Sequence, residues 1–104
     1  MTAAAFFGDS TLIPNGHYIL PGGVILNWGF SSVQDDGYQI VTFHKPFVSA
    51  VFMAGATPRA NGPIGAGNAL GAHVGTVTLN TMGVGASMYA GFAIAGVYWW
   101  ALGK

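Results

Sequence analysis

The sequence lacks cysteine and glutamate and carries very few charges of either sign. Asp, Glu, Lys and Arg make up 6% of its 104 residues, against about 25% in ordinary soluble domains. Without cysteine, no disulfide can support the fold, and the redox compartment cannot be inferred. The three cations, Lys45, Arg59 and Lys104, are too few for the basic patch that phosphate contacts need, which excludes nucleic-acid binding.

Apolar residues are in excess for a chain of this length. Hydrophobic residues make up 52% of the sequence, and 17 glycines come in addition. A single small domain has a high ratio of surface to volume and cannot bury so much apolar area by itself. We therefore expect part of the apolar surface to meet another chain or a membrane.

The residue pattern predicts short strands separated by glycine and proline turns. Residues 24–30 alternate, with Leu26, Trp28 and Phe30 on one face and Asn27 on the other. The segments with strand or apolar character are 17–20, 24–30, 38–44, 47–55, 73–81, 83–93 and 96–103. Since no convincing amphipathic helix accompanies them, they predict an all-β fold, an antiparallel β-sandwich of about six strands.

Two segments are predicted to be loops. Residues 31–37 contain two acidic residues and end in an Asp-Gly turn. Residues 59–71 hold too many glycines for a regular helix or strand, and we interpret them as a long surface loop. The Thr57-Pro58 pair is expected to end the strand before this loop. Long ordered loops often carry function.

The groups needed for catalysis are scarce. The run Gly8-Asp9-Ser10 resembles the nucleophile block of the Gly-Asp-Ser-Leu hydrolases, but no Asp-x-x-His block supplies a base and its orienting carboxylate. A glycosidase needs two separated carboxylates, and Asp35 and Asp36 are adjacent. We therefore predict that the protein is not an enzyme, with Asp9 and Ser10 as ordinary loop or cap residues.

No cofactor or metal is predicted. His17, His44 and His73 lack the spacing of a zinc site, although one histidine per chain around a threefold axis could hold an ion. The glycines of residues 62–71 lack the Gly-Lys-Ser/Thr end and the following helix of a phosphate-binding loop. The histidines are therefore assigned to ordinary strand and loop positions.

The aromatic residues are better candidates for binding. Trp28, Tyr89, Tyr98, Trp99 and Trp100 could stack on sugars, anchor an interface or fill the core. Trp99 and Trp100 are adjacent on a predicted strand and must point to opposite faces. One of them can enter the core, whereas the other must meet a partner subunit or solvent.

A small membrane protein is an alternative that the composition leaves open. Residues 60–103 contain no Asp, Glu, Lys or Arg, and residues 82–103 have about the length of a membrane span. Against this, glycine is dense, no cationic cluster sets an orientation, and the preceding segments alternate as strands. We therefore expect no membrane insertion.

Three blocks of the chain resemble the C-terminal domain of bacteriophage tail fibre proteins. Residues 16–29, Gly-His-Tyr-Ile-Leu-Pro-Gly-Gly-Val-Ile-Leu-Asn-Trp-Gly, resemble the opening pattern Gly-Tyr-x-x-Leu-Pro-x-Gly-Leu-Ile-x-Gln-Trp-Gly of that family, with Asn27 in place of Gln. Residues 41–47 resemble its Val-x-Phe-x-x-x-Phe pattern. Residues 97–103 resemble its closing Phe-Tyr-Trp-x-Ala-Ile-Gly strand.

The resemblance implies a homotrimeric receptor-binding tip at the distal end of a virion's tail fibre, with a sandwich similar to the H-type lectins. Such an adhesin would bind a bacterial lipopolysaccharide glycan or an outer-membrane protein. The residues expected to contact the receptor are Asp35, Asp36, Arg59, Asn61, Asn68, His73 and Tyr89. Residues 1–15 would be a lead-in from the fibre shaft or an artificial boundary, and residues 16–104 the binding domain. A structural trimerisation cap that binds no ligand is the alternative.

Overall fold

A computed structural model describes residues 13–33, 37–60, 69–89 and 94–104, which form strands and contain no helix. The strands are β1 (Gly16–Ile19), β2 (Ile25–Ser31), β3 (Tyr38–Thr42), β4 (Val51–Ala60), β5 (Ala69–Val77), β6 (Thr81–Tyr89) and β7 (Ile94–Gly103). The predicted all-β class is confirmed. The described residues hold seven strands, one more than the number predicted.

The strands form two sheets, in which every neighbouring pair is antiparallel. The first sheet has the order β1-β2-β7-β4 and the second the order β3-β6-β5. Buried side chains from both sheets form one hydrophobic cluster. Met82 and Val84 of β6 and Val97 and Ala101 of β7 are fully buried within it, so the core lies between the two sheets, as in a sandwich. Among the described residues, no helix has the length and apolarity to cross a membrane.

Strand β2 shows the predicted alternation. Ile25, Asn27 and Gly29 are buried, while Leu26, Trp28 and Phe30 between them are half-buried. The inward face therefore carries a polar amide and a glycine, and the more apolar face of the strand points out of the domain. On the inward face Gly29 lies opposite Trp99 of β7 and leaves room for its ring.

The two adjacent tryptophans of β7 point to opposite faces, as predicted. Trp99 is 4% exposed and lies in the core, whereas Trp100 is 37% exposed on the outer face of the first sheet. Phe43 packs against Trp99 with ring centroids 6.0 Å apart and against Phe47 at 5.0 Å. The spacing of these two phenylalanines in the 41–47 block thus lets the chain turn between them while both rings stay in the core.

Glycines within the strands lie beneath rings from neighbouring strands. A methyl group at any of these glycines would overlap the ring above it. The pairs are Gly29 with Trp99, Gly55 with Trp100, Gly83 with Tyr38, Gly85 with His73, and Gly96 with Phe30. Glycine weakens an isolated strand, but here each one allows a ring to lie flat on the sheet.

The predicted loop at residues 59–71 is wrong at both of its ends. Strand β4 continues through Pro58 to Ala60, and β5 already begins at Ala69. β4 is an edge strand of the first sheet, where a proline costs no sheet hydrogen bond if its nitrogen faces away from the neighbour. The prediction for residues 47–55 also placed the strand too early, because residues 43–50 form a loop and β4 starts at Val51.

The domain has an N-proximal end and a C-proximal end. At the N-proximal end, the hydroxyl of Ser31 hydrogen-bonds Gln39, and Ala60 pairs with Ile94. At the C-proximal end, the 43–50 loop donates backbone hydrogen bonds to Leu79 and Lys104. Strands β2, β4 and β6 therefore end toward the N-proximal end, and the turns 21–24 and 78–80 lie at the C-proximal end. One of the predicted glycine and proline turns lies at residues 21–24, with Gly22 and Gly23 at positive φ.

Candidate functional site

The predicted receptor-binding residues fall into two groups. Asp35, Asp36, Asn61 and Asn68 lie outside the described residues. Tyr89 ends β6, where its backbone pairs with Ala69. Arg59 and His73 are described, and they lie on different sheets. The structure therefore does not bring these two residues together in one site.

Arg59 lies against aromatic rings on the outer face of the first sheet. Its guanidinium is 5.8 Å from the centroid of the Phe30 ring, a distance at which a cation–π attraction operates. The Phe30 ring in turn lies 5.0 Å from the ring of Tyr98 on β7. The cation is exposed at the margin of a continuous aromatic surface.

We call this surface the aromatic face. It consists of outward-pointing side chains of β2 and β7 that pair in register, Leu26 with Leu102, Trp28 with Trp100, and Phe30 with Tyr98. Tyr98 is 47% exposed, and Met53 of the neighbouring strand β4 is 58% exposed at its edge. Contiguous exposed apolar surface of this kind marks an interaction site.

A second arrangement lies on the outer face of the second sheet, and we call it the Tyr38–His73 platform. Tyr38 of β3 is 53% exposed, and His73 of β5 is also exposed. Both residues pair with Gly85 of the central strand β6. Their ring centroids are 6.2 Å apart, and the ring planes differ by 23°. The two rings therefore lie side by side over glycine backbone.

Sequence reasoning selected His73 but missed Tyr38. The signal was present, because the alternation of residues 38–44 predicts that Tyr38 and Ile40 share a face. Gly83 and Gly85, spaced by two residues on β6, point to that same face. What the sequence did not reveal was the pairing of β6 with both β3 and β5, which places these glycines beneath the two rings.

Two histidines form a pair near the C-proximal end. Nδ1 of His17 and Nδ1 of His44 are 2.7 Å apart, and the rings stack with centroids 5.0 Å apart. His17 is buried, and its strand neighbour Asn27 bonds the backbone of Lys45. Within the described ranges, no group of three or more side chains could hold a metal ion. The pair fixes the 43–50 loop onto the first sheet.

The fold and its aromatic face define a two-sheet, all-antiparallel domain with one strongly apolar outer surface. The family described as "Putative tail fiber protein gp53-like, C-terminal" matches residues 19–104, and the chain belongs to this family. The resemblance of the three sequence blocks is thereby confirmed. The comparison with curated proteins gave no match.

Solved fibre structures share the fold. An N-truncated R2-type pyocin tail fibre has a TM-score of 0.75 at 22% identity, covering 91% of this chain and 36% of that one. A P. aeruginosa R2 pyocin fibre gives the same score and identity, with 25% of its own chain covered. For an N-truncated R1-type pyocin tail fibre the TM-score is 0.74 at 23% identity, with 84% covered. The chain thus spans well under two thirds of the first two fibres.

Proposed function

We propose that the chain is the receptor-binding domain of a phage or pyocin tail fibre, that it works as a homotrimer, and that it is not an enzyme. Membership of the tail fibre family supports the fibre role. The observation that carries the assembly is the aromatic face. An isolated domain would expose Trp100, Tyr98 and Met53 to water, and an interface with further copies would cover them.

Host recognition is the function that this assembly would serve. A fibre domain repeated around an axis presents each of its sites several times, which converts weak contacts into avid attachment. The proposed ligand is a component of the bacterial surface, either a lipopolysaccharide glycan or an outer-membrane protein. Asp35, Asp36, Asn61 and Asn68, which lie outside the described residues, remain proposed contacts, as does Tyr89.

The proposed location is the distal end of a tail fibre on the virion or particle. If a shaft precedes residue 13, the C-proximal end is directed away from it, since β1 runs from the N-proximal end toward the C-proximal end. The non-enzymatic role is supported by the acidic residues of the whole chain, Asp9, Asp35 and Asp36, two of which are adjacent and unsuited to separate acid and base roles.

Light scattering coupled to size exclusion tests the assembly. The expected molar mass is about three times the 10.7 kDa of the single chain. A monomer without detergent would contradict the trimer and leave the aromatic face without its proposed cover. Protein that is soluble only in detergent would instead favour the membrane alternative.

Adsorption to cells tests host recognition. Fluorescently labelled trimer is mixed with a panel of Gram-negative strains, and bound label is measured after washing. Saturable binding to some strains, competed by unlabelled protein, is the expected result. A stable trimer that adsorbs to no strain would favour the alternative of a structural cap, since a cap needs the aromatic face but no ligand.

A further inference from the structure

The Tyr38–His73 platform differs in chemistry from the aromatic face. Strands β3, β5 and β6 contain no Asp, Glu, Lys or Arg in their sequences. Their outer face presents the phenol hydroxyl of Tyr38 and the imidazole of His73. It also presents the hydroxyl of the exposed Ser87, which lies over Gly71. The surface is therefore uncharged but rich in groups that donate and accept hydrogen bonds.

The platform is held flat by the glycines beneath it. The phenol ring of Tyr38 lies over Gly75 and Gly83, and the imidazole of His73 lies over Gly85. A side chain at any of these positions would lift a ring off the sheet. Two rings whose planes differ by only 23° thus offer one continuous surface, with exposed π faces and polar edges.

We propose that the Tyr38–His73 platform binds a neutral pyranose ring of a surface glycan. The apolar C–H face of a pyranose stacks on flat aromatic rings, while its hydroxyls need nearby donors and acceptors such as His73 and Ser87. Because these strands carry no formal charge, an uncharged sugar matches the surface, and a phosphate or acidic sugar gains no ion pair. This inference rests on the proposed function, and it names the ligand class.

A second copy of the chain is the competing occupant. The aromatic face is the better candidate for self-association, because its rings pair in register across β2 and β7 and are joined by exposed apolar residues such as Met53. It lies on the other sheet. Self-association through that face leaves the outer surface of the second sheet open to a ligand.

The experiment titrates the full 104-residue protein with methyl glycosides of glucose, galactose, mannose, rhamnose and N-acetylglucosamine at up to tens of millimolar. Saturation-transfer NMR reports which sugars bind, and the shifts of the Tyr38 and His73 ring signals report where. We expect at least one glycoside to bind and to shift both residues. Tyr38→Ala should weaken that binding about tenfold, and Tyr38→Phe, which keeps the ring, should weaken it much less.

Val48→Ala is the matched control, because Val48 is 80% exposed and lies in the 43–50 loop rather than on the outer face of the second sheet. It should leave the affinity unchanged, and an amide spectrum confirms that each variant is folded. If no glycoside shifts the Tyr38 and His73 signals, or if Tyr38→Ala binds as tightly as the native protein, the inference is wrong. A loss of oligomer mass in Tyr38→Ala without sugar binding would assign the platform to subunit contact instead.

These outcomes separate the inference from the proposed function. Equal adsorption of the native protein and of Tyr38→Ala to cells would contradict sugar binding at the platform, but it would leave the receptor-binding role supported. Sugar binding by a protein that stays monomeric would support the platform and contradict the trimer.

Discussion

The side-chain amide of Asn27 forms two hydrogen bonds with the backbone of Lys45. Its Nδ2 donates to the Lys45 carbonyl at 2.8 Å, and the Lys45 N–H donates to its Oδ1 at 2.9 Å. Asn27 is fully buried, and its amide bonds both backbone groups of this loop residue. It ties the 43–50 loop to the inner face of β2.

Replacing Asn27 by leucine should destabilise the domain by about 2–4 kcal/mol, because two backbone groups of the loop lose their partners. Urea unfolding measures this as a lower midpoint with an unchanged slope. Asn80→Asp, at an exposed turn position, is the control and should change stability little. A near-neutral Asn27→Leu would mean that water satisfies Lys45 as well as the amide does.

The glycines beneath the two tryptophans should respond differently to alanine. At Gly29 the new methyl group overlaps Trp99, which is buried and cannot move, so we expect a loss of about 1–3 kcal/mol. At Gly55 it overlaps Trp100, which is partly exposed and can rotate outward. Thermal unfolding of both variants should rank Gly29→Ala as the less stable, and the reverse order would contradict the assigned burial.

Trp100→Ser should weaken self-association, because it removes a large ring from the centre of the aromatic face. Light scattering over a dilution series should show the mass falling toward that of one chain at concentrations where the native protein stays assembled. Ile40→Ser removes an apolar side chain of even greater exposure from the other sheet and should leave the mass unchanged. Equal effects of both variants would refute the assignment of the interface.

In the pair of His17 and His44, one Nδ1 atom should carry a proton and the other should not. Two ring nitrogens 2.7 Å apart share one hydrogen bond, which requires a proton on one nitrogen and a lone pair on the other. Long-range ¹H–¹⁵N spectra assign the protonation of each ring nitrogen of His17 and His44, with His73 as the internal reference. Finding both Nδ1 atoms protonated, or neither, would show that this hydrogen bond does not form.

Deletion of Lys104 should loosen the 43–50 loop. The Lys104 oxygen accepts hydrogen bonds from the backbone N–H groups of Val48, Ser49 and Ala50, and its own N–H donates to Ala50. We expect a loss of about 1–2 kcal/mol and faster amide exchange at these three residues. Lys104→Ala keeps the backbone and should behave as the native protein; if it matched the deletion, the lysine side chain would be responsible.

The sequence predicted those elements in which local pattern and tertiary environment agree. Strand β2 and the opposite faces of Trp99 and Trp100 follow from a period of two, which burial between the sheets preserves. The Pro-Gly-Gly turn follows from backbone chemistry alone. In these segments, neighbours in the chain are enough to specify the local structure.

The errors occur where a partner strand overrides local propensity. Pro58 is tolerated because β4 is an edge strand, and Ala69–Val77 is a strand although its sequence is rich in glycine. The glycines of β6 reduce strand propensity, yet Tyr38 and His73 cover them from the adjacent strands. These contacts join residues far apart in sequence, so no local window could predict the platform that they build.

The odd number of antiparallel strands among the described residues also determines on which side of this domain a fused neighbouring domain would lie. Among the described residues the seven antiparallel strands carry the chain from one end of the domain to the other. A partner fused after residue 104 would therefore emerge on the side opposite to one fused ahead of residue 13. The domain can link two bodies in line, whereas an even-stranded relative would return the chain to its starting side and fold the two bodies back against each other.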